Sequence, residues 1–351
     1  MIHSIRPHKI TSIAHRLELG PVVDYTTDGI ESRVGQVLVV RALEEKRVYD
    51  VVELTTGRMA HVAKGDVLVG ALGRRDALRG FVGRVPKSVK AGDVIHLLNL
   101  GGVLGTAVSE NRDVGHPLQV EVLGMAVREG VGLNIADAAM PEPPADAPVP
   151  PLIVVSGTCM NAGKTVAACE LVARLTQRGY RVGAAKLTGV AAVRDPFNMD
   201  DHGAICTRTF HDVGLPSTAG MEDCAPMAKR VLRSIPIEAE EPLDVIVVEM
   251  GDGIIGRYGV ESILNDKEYQ GWIVAHVLAA NDLVAAWGGA LWLRERGIRL
   301  DCIVGPATDN QVGEAYVREE LQVEASNART AAEAFVDIVE KAAFHKVTAP
   351  V

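Results

Sequence analysis

Apolar and polar positions follow two different rhythms along this chain. In the first part, short runs rich in Val, Leu and Ile are bounded by Gly, Asp and Pro at intervals of roughly ten residues: "GQVLVVRALEE", "RVYDVVELTT", "HVAKGDVLVGALG", "LRGFVGRVP" and "GDVIHLLNLGGVLG". Evenly spaced short strands with glycine corners predict a smaller, mostly-β domain, a barrel or sandwich. "KGDVLVG" and "AGDVIHLL" repeat one device, a Gly-Asp pair entering a hydrophobic run. "RRDALRG" reads as a short helix or a basic turn, with its arginines in solvent.

From Leu152 the rhythm changes. A continuous apolar strand, "LIVVSG", meets a glycine loop, and the helical pattern "KTVAACELVARLTQRG" follows, with Val166, Leu171 and Leu175 close to one face and Gly179 as its stop. Strand-like "RVGAAKLTG", "PLDVIVVEMGDG", "GWIVAHVLAA" and "LDCIVGPATDN" then alternate with helical "LVAAWGGALWLRERG" and "ARTAAEAFVDIVEKAA". Apolar strands alternating with helices predict an α/β fold, a parallel sheet covered by helices on both faces. Between the two rhythms lies "AAMPEPPADAPVPP", Ala138 to Pro151, whose six prolines exclude helix and ladder alike. The expected organisation is a β domain over 1–137, a linker over 138–151 and an α/β domain over 152–351.

Composition narrows this only a little. The 351 residues are 48% hydrophobic and 23% charged, the balance of a soluble globular protein. A net charge of −9 gives no general footprint for nucleic acid or an anionic membrane. The N-terminus lacks a continuous apolar signal region, and no apolar run approaches about 18 residues, so neither secretion nor a membrane span is expected. Five scattered cysteines with no C-x-x-C pair argue against a zinc site or disulfide framework and fit a reducing cytoplasm. Cys159 lies in the glycine loop and reads as a small loop residue.

The chemistry concentrates in "SGTCMNAGKTV". The usual phosphate-binding loop has four residues between its first glycine and the Gly-Lys pair. Here five, Thr158 to Ala162, separate Gly157 from Gly163. Strand, glycine-rich turn, Gly-Lys-Thr and helix still come in the order that phosphate binding requires, because loop N–H groups and a helix N-terminus converge on an anion. Gly157, Thr158, Asn161, Ala162, Gly163, Lys164, Thr165 and Val166 are the expected nucleotide-binding residues. Lys164 would reach the outer phosphates and Thr165 would hold Mg²⁺. Glu249 closes an apolar strand whose C-terminal end should face the loop and share the metal; Asp252 is a second candidate acid. In "AAKLTGVAAVRDPFNMDDHGA", Lys186 is a fixed cation for the γ-phosphate or an anionic substrate, with Thr188 and Gly189 beside it. Asp195, Asp200, Asp201 and His202 are candidates to ligate Mg²⁺, place a substrate group or act as general base. Among these, Asp195 and Asp201 are assigned to catalysis with the two lysines, Asp200 to the metal and His202 to the substrate.

These segments resemble dethiobiotin synthetase and its relatives, which include cobyric acid synthase and, more distantly, the MinD-like ATPases. "GTCMNAGKT" matches the longer loop of that group through Gly157, Thr158, Gly163, Lys164 and Thr165, which accounts for the extra residue. "KLTG" is similar to the group's Lys-Pro-Val-x-x-Gly through Lys186, "VEMGDG" to its Mg²⁺-binding Val-Glu-Gly-Ala-Gly-Gly through Glu249, and "ANDLVAAWGGALWLRERGI" to its Asn-x-x-x-Leu helix. "IVGPATDN" looks like the group's strand ending in Asn, which implies adenine near Pro306 to Asn310 with Asn310 as its specific partner. The likeness covers Leu152 to about Asn310. Cys159 stands where the group has aspartate, no proline follows Lys186, and "EMGDG" replaces "EGAGG". The loop also resembles that of a P-loop group containing N-acyltransferases that act on D-glutamate.

The expectation is therefore a cytoplasmic enzyme using ATP and Mg²⁺ to activate a small carboxylate or carbamate by phosphoryl transfer, as a ligase or synthetase does. Acyl transfer from coenzyme A and a nucleotide-dependent switch or chaperone are the alternatives. A small-molecule substrate is expected and no nucleic acid or membrane partner. The resemblance implies a homo-oligomer.

Overall fold

The computed structural model describes residues 1–344 and divides them into two compact units. The first holds Met1–Pro141 together with Val190–Arg194 and Phe210–Gly220; the second holds Glu142–Gly189, Asp195–Thr209 and the chain from Met221 onward. The sequence places a single boundary at the proline stretch, and residues 139–151 indeed form no helix or strand. What the sequence does not announce is that two short later segments return to the first unit. The carboxylate of Glu53 accepts from Val193 N and Arg194 N, each at 2.8 Å, and the Asn99 amide donates to Ala191 O at 3.3 Å.

The first unit closes as a barrel. Val37–Ala42 pairs antiparallel with both Leu118–Arg128 and Val67–Leu72; Val67–Leu72 pairs parallel with Val103–Glu110; Val94–Leu97 bridges Val103–Glu110 back to Leu118–Arg128. Five strands thus form a ring without an open edge, which removes the exposed ladder that a sandwich leaves. Alternate positions fill it: Leu38, Val40 and Ala42, Leu68 and Leu72, Ile95 and Leu97, Leu118, Val120 and Val122. The repeated Gly-Asp device has one geometry at both places. Gly65 and Gly92 have φ of 88° and 86°, and Asp66 and Asp93 accept from Ala63 N and Lys90 N at 2.8 and 3.0 Å. "RRDALRG" departs from expectation: Arg75–Asp76 is a short strand, and Arg75 is only 5% exposed. Its guanidinium donates to Leu98 O and, at 3.0 Å, to the Tyr49 hydroxyl, and lies over the Tyr49 and Phe81 rings. Carbonyl, hydroxyl and aromatic partners make a buried arginine tolerable where sequence suggests solvent, although its Nε is left without a partner.

In the second unit the strands are β1 (Leu152–Gly157), β2 (Val182–Lys186), β3 (Thr207–Thr209), β4 (Val245–Glu249), β5 (Ile273–Ala279), β6 (Cys302–Val304) and β7 (Glu324–Ala325). All pair in parallel, in the order β3-β2-β4-β1-β5-β6-β7. The helices are α1 (Lys164–Gln177), α2 (Arg194–Asp201), α3 (Ala225–Glu238), α4 (Val260–Asn265), α5 (Lys267–Trp272), α6 (Leu283–Glu295), α7 (Gln311–Glu320) and α8 (Ala332–Phe344). Ile153, Val155, Val245, Val247, Ala275 and Val277 point into a core shared with Leu171, Leu175, Phe335 and Val336 of α1 and α8. The intervening Val154, Ile246, Val248 and Leu278 are equally buried, with Gly289 of α6 against Leu278. Both faces are covered, which is why these strands read as unbroken apolar runs. The central β1 is flanked by β4 and β5, and the chain leaves it in one direction and later continues in the other, the switch point at which such sheets open a crevice.

Candidate functional site at the C-terminal ends of the sheet

The loop from Thr158 to Gly163 joins β1 to α1. Its left-handed positions are Asn161, φ 62°, and Gly163, φ 101°. A Cβ at Gly163 would meet no protein atom nearer than Gly305 Cα at 3.5 Å, so within the protein it is the positive φ that favours glycine there. Gly157 is the crowded one: a Cβ would lie 2.7 Å from Lys164 Cδ. Gly305, φ 94°, was missed by the sequence reading although a Cβ there would come within 2.3 Å of Ala162 O, so it shapes the loop from below. No side chain caps α1, leaving its first-turn N–H groups to whatever anion the loop surrounds.

Lys164 is 6% exposed, and its Nζ donates to Cys159 O at 2.7 Å. Burial lowers its pKa, against the opposing pull of Glu249. Glu249 ends β4 in register with Val155 of β1 and Lys186 of β2, and this register brings three predicted residues together. The Thr165 hydroxyl donates to Glu249 Oε1 at 2.9 Å, Lys186 Nζ lies 3.6 Å from the same oxygen, and Lys186 also donates to Asp195 Oδ2. Burial raises the pKa of Glu249, with Lys186 and Lys164 opposing it. For Lys186 burial works against the charge, but Asp195 and Glu249 outweigh it and hold the ammonium above its ordinary range. Glu249 Oε2 and Thr158 Oγ1 are buried without a hydrogen-bond partner. The parallel sheet with its switch point at β1, and the glycine loop leading from that strand into the uncapped helix α1, carry the architecture. The second unit has a P-loop NTPase-like fold.

Other predicted residues lie elsewhere. Thr188 is buried, and its hydroxyl donates to Gly251 O at 3.0 Å, so it supports the turn after β4; Gly189, φ 132°, continues from it. Asp200, Asp201 and His202, expected to serve the metal, catalysis and the substrate, lie at the other end of α2 from Asp195. They end α2, where His202 Nδ1 contacts Asn198 O at 2.6 Å and Gly203 O accepts from the Thr176 hydroxyl. Thr176 lies twelve residues beyond Lys164, roughly 18 Å along α1. Ile205 N bonds Val182 O at the start of β2, the end of the sheet remote from the P-loop. Asp195, in the first turn of α2, reaches Lys186. Asn310, expected to meet adenine, uses its Oδ1 to accept from Val312 N and Gly313 N as the N-cap of α7. The cleft beside the P-loop, lined by Asn161, Gly163 and Val166, is closed by Pro306, Asp309 and Asn327 instead. Asn327 donates to Asp309 Oδ1 at 2.8 Å and fixes that carboxylate. Two contacts escaped the sequence. Asn281 donates to Cys159 Sγ at 2.9 Å, and Ser156 pairs with His276 Nε2 at 2.8 Å. The latter pair resembles a nucleophile and its base, but neither residue has exposed surface; His276, its pKa lowered to about 4 by burial, joins β1 to β5.

No family model matches the chain. Among solved structures it is similar to the signal recognition particle receptor FtsY of Elizabethkingia anophelis, at 15% identity over 54% of this chain and 65% of that one, TM-score 0.35. The same receptor in complex with GDP gives 12% over 59% and 67%, TM-score 0.36. The signal recognition particle 54 kDa protein of Aeropyrum pernix K1 in complex with GDP gives 17% over 60% and 51%, TM-score 0.36. The narrower likeness to dethiobiotin synthetase rests on the motifs alone. Among the described residues no helix is long and apolar enough to cross a membrane.

Proposed function

We propose that the second unit binds a nucleoside triphosphate with Mg²⁺ and transfers its terminal phosphoryl group to a small anionic acceptor, a carboxylate or carbamate. The observation that carries this is the Thr165–Glu249 hydrogen bond, with the second Glu249 oxygen buried and unpartnered. Among the described residues no three acidic, His or Cys side chains converge as a self-contained metal cage. One carboxylate, one hydroxyl and phosphate oxygens are what Mg²⁺ takes in nucleotide sites, so the residues present fit that ion. Bound there, Mg²⁺ would neutralise charge on the phosphate oxygens.

The chain's own residues supply the rest. Loop N–H groups and the start of α1 surround the phosphates, and Lys164 leaves the Cys159 carbonyl for a phosphate oxygen. Lys186, kept charged by Asp195 and Glu249, holds the acceptor's negative group near the reacting phosphate, a contribution of position and charge. The base enters the cleft between Val166 and Pro306, where the Asp309 carboxylate meets an exocyclic amino group that adenine and guanine both carry. A second reading, a nucleotide-dependent switch that hydrolyses without an acceptor, is favoured by the segment after β4. Met250 N and Ile254 N bond Val155 O and Gly157 O at 2.9 and 2.8 Å, tying that segment to the loop's strand.

Calorimetric titration of the full chain with Mg²⁺–ATP and Mg²⁺–GTP tests the reading. At least one is expected to bind to the wild type and neither measurably to Lys164→Ala, with circular dichroism unchanged. Equal affinity in Lys164→Ala would reject the site.

A further inference from the structure

We infer that α6 is the face through which this chain pairs with a second copy of itself, two α6 helices crossing antiparallel at Gly288. From Leu283 to Leu293 the helix carries no charged residue. Ala286, Gly289, Ala290 and Leu293 recur at the spacing of one helical face and are buried; a Cβ at Gly289 would lie 2.6 Å from Leu278 Cδ2 of β5. At about 100° per residue the opposite face carries Val284, Gly288 and Leu291, with Trp287 at its side. A helix on the outside of a sheet ordinarily turns charged side chains that way. Here Val284 is 76% exposed and Trp287 51%.

Two residues on this face have no use within one copy. Of the three tryptophans, Trp272 lies under the Arg233 guanidinium and Trp292 under that of Arg296, at 5.7 and 3.9 Å from the ring centres. Trp287 has no ring, cation or hydrogen-bond partner among the described residues. Glycine inside a helix lowers stability relative to alanine. At Gly289 the crowding by Leu278 explains it, whereas a Cβ at Gly288 would meet no atom within 4 Å. A bare stretch of backbone beside an unpartnered indole is what the close approach of another helix requires: the axes can cross tightly at the glycine, and the ring covers the gap.

That helix is a second copy of α6, because the charges are complementary about the helix's own middle. Asp282 and Arg294 are both exposed and lie equally far from Gly288 along the chain. Asp282 Oδ1 caps the helix through Ala285 N and Arg294 donates to Leu321 O, but neither has an ion-pair partner within 4.0 Å among the described residues. A two-fold axis through Gly288 sets each Asp282 opposite the partner's Arg294 and each helix's positive end beside the partner's negative end. It also lays each Trp287 over the partner's Gly288. A parallel pair would bring aspartate to aspartate. A helix roughly 20 Å long covers less than the about 800 Å² per partner of a standard interface, so the pair is expected to dissociate in the micromolar range.

The test is sedimentation velocity of the full chain, without nucleotide, from about 1 to about 200 μM. The wild type is expected to move from the 37.4 kDa of one chain toward twice that mass. Trp287→Glu and Gly288→Gln should each weaken association by about 10-fold or more. Melting temperatures of the dilute variants should hold or rise, since both substitutions place better helix formers at positions open in a single copy. Oxidation reads the direction of pairing: the Val284→Cys/Leu291→Cys double variant is expected to cross-link between copies, and neither single variant to do so. A wild type that stays monomeric leaves the face to a different partner and overturns the inference. A dimer that withstands either Trp287→Glu or Gly288→Gln, or a cross-link in either single variant, overturns it as well.

Discussion

Two glutamates are buried equally in this molecule, each 2% exposed, and they end in opposite conditions. Glu53, in the barrel unit, spends both carboxylate oxygens on backbone N–H groups, of Val193 and Arg194, at 2.8 Å each. Glu249, in the P-loop unit, gives one oxygen to the Thr165 hydroxyl and leaves the other buried with no partner. Burial by itself therefore does not mark a functional acid. A buried carboxylate whose acceptors are all used is a structural cap; one holding an acceptor back is stabilised by cations, here Lys186 and Lys164, and stands ready for a ligand.

Replacing each glutamate in turn sharpens that contrast most. Glu249→Gln removes the charge that orders Thr165 and Lys186, and is expected to cut Mg²⁺-dependent phosphate release by about 100-fold or more with stability little changed. Glu53→Ala strands one buried and one partly buried N–H group and should cost roughly 2–4 kcal/mol in urea unfolding. Turnover by Glu249→Gln at the wild-type rate, or unchanged stability in Glu53→Ala, would erase the distinction.

The same contrast extends to pH. His276 is buried and neutral in the folded state, with a pKa of about 4 against an ordinary 6.5. The unfolded chain binds a proton that the folded chain refuses between those values, so stability falls as pH drops through that window, by up to about 3 kcal/mol. Measured between pH 7 and pH 5, His276→Gln should show a flatter dependence than the wild type; a parallel dependence would mean that another group carries it. Smallest of all, Asn310→Ala should cost about 1 kcal/mol as a lost helix cap and leave nucleotide affinity unaltered. A loss of affinity there would return Asn310 to base recognition.

Local order was legible where local physics dominates. Apolar runs covered on both faces marked the parallel strands, the Gly-Asp pairs marked turns that recur with one geometry, and Gly157, Gly163, Lys164 and Thr165 marked the loop, because strand period, positive φ and helix-end donors are properties of a few consecutive residues. The glutamate at the end of β4 could be placed opposite the loop because a parallel sheet presents its C-terminal ends together. The acidic run after Lys186 could not be resolved in the same way. Asp195 and Asp201 are six positions apart on one short helix, and only the path of that helix, from Lys186 toward the far end of α1, decides that one meets the lysine while the other does not. Nor does sequence separate Glu53 from Glu249, since their partners lie 140 and 84 positions away. Sequence determined the elements and the place of the glycine loop ahead of α1, which depend on neighbours along the chain. Tertiary structure alone decided which polar atoms are already satisfied and which are left for a ligand, since a hydrogen bond is a relation between groups that only folding brings within reach.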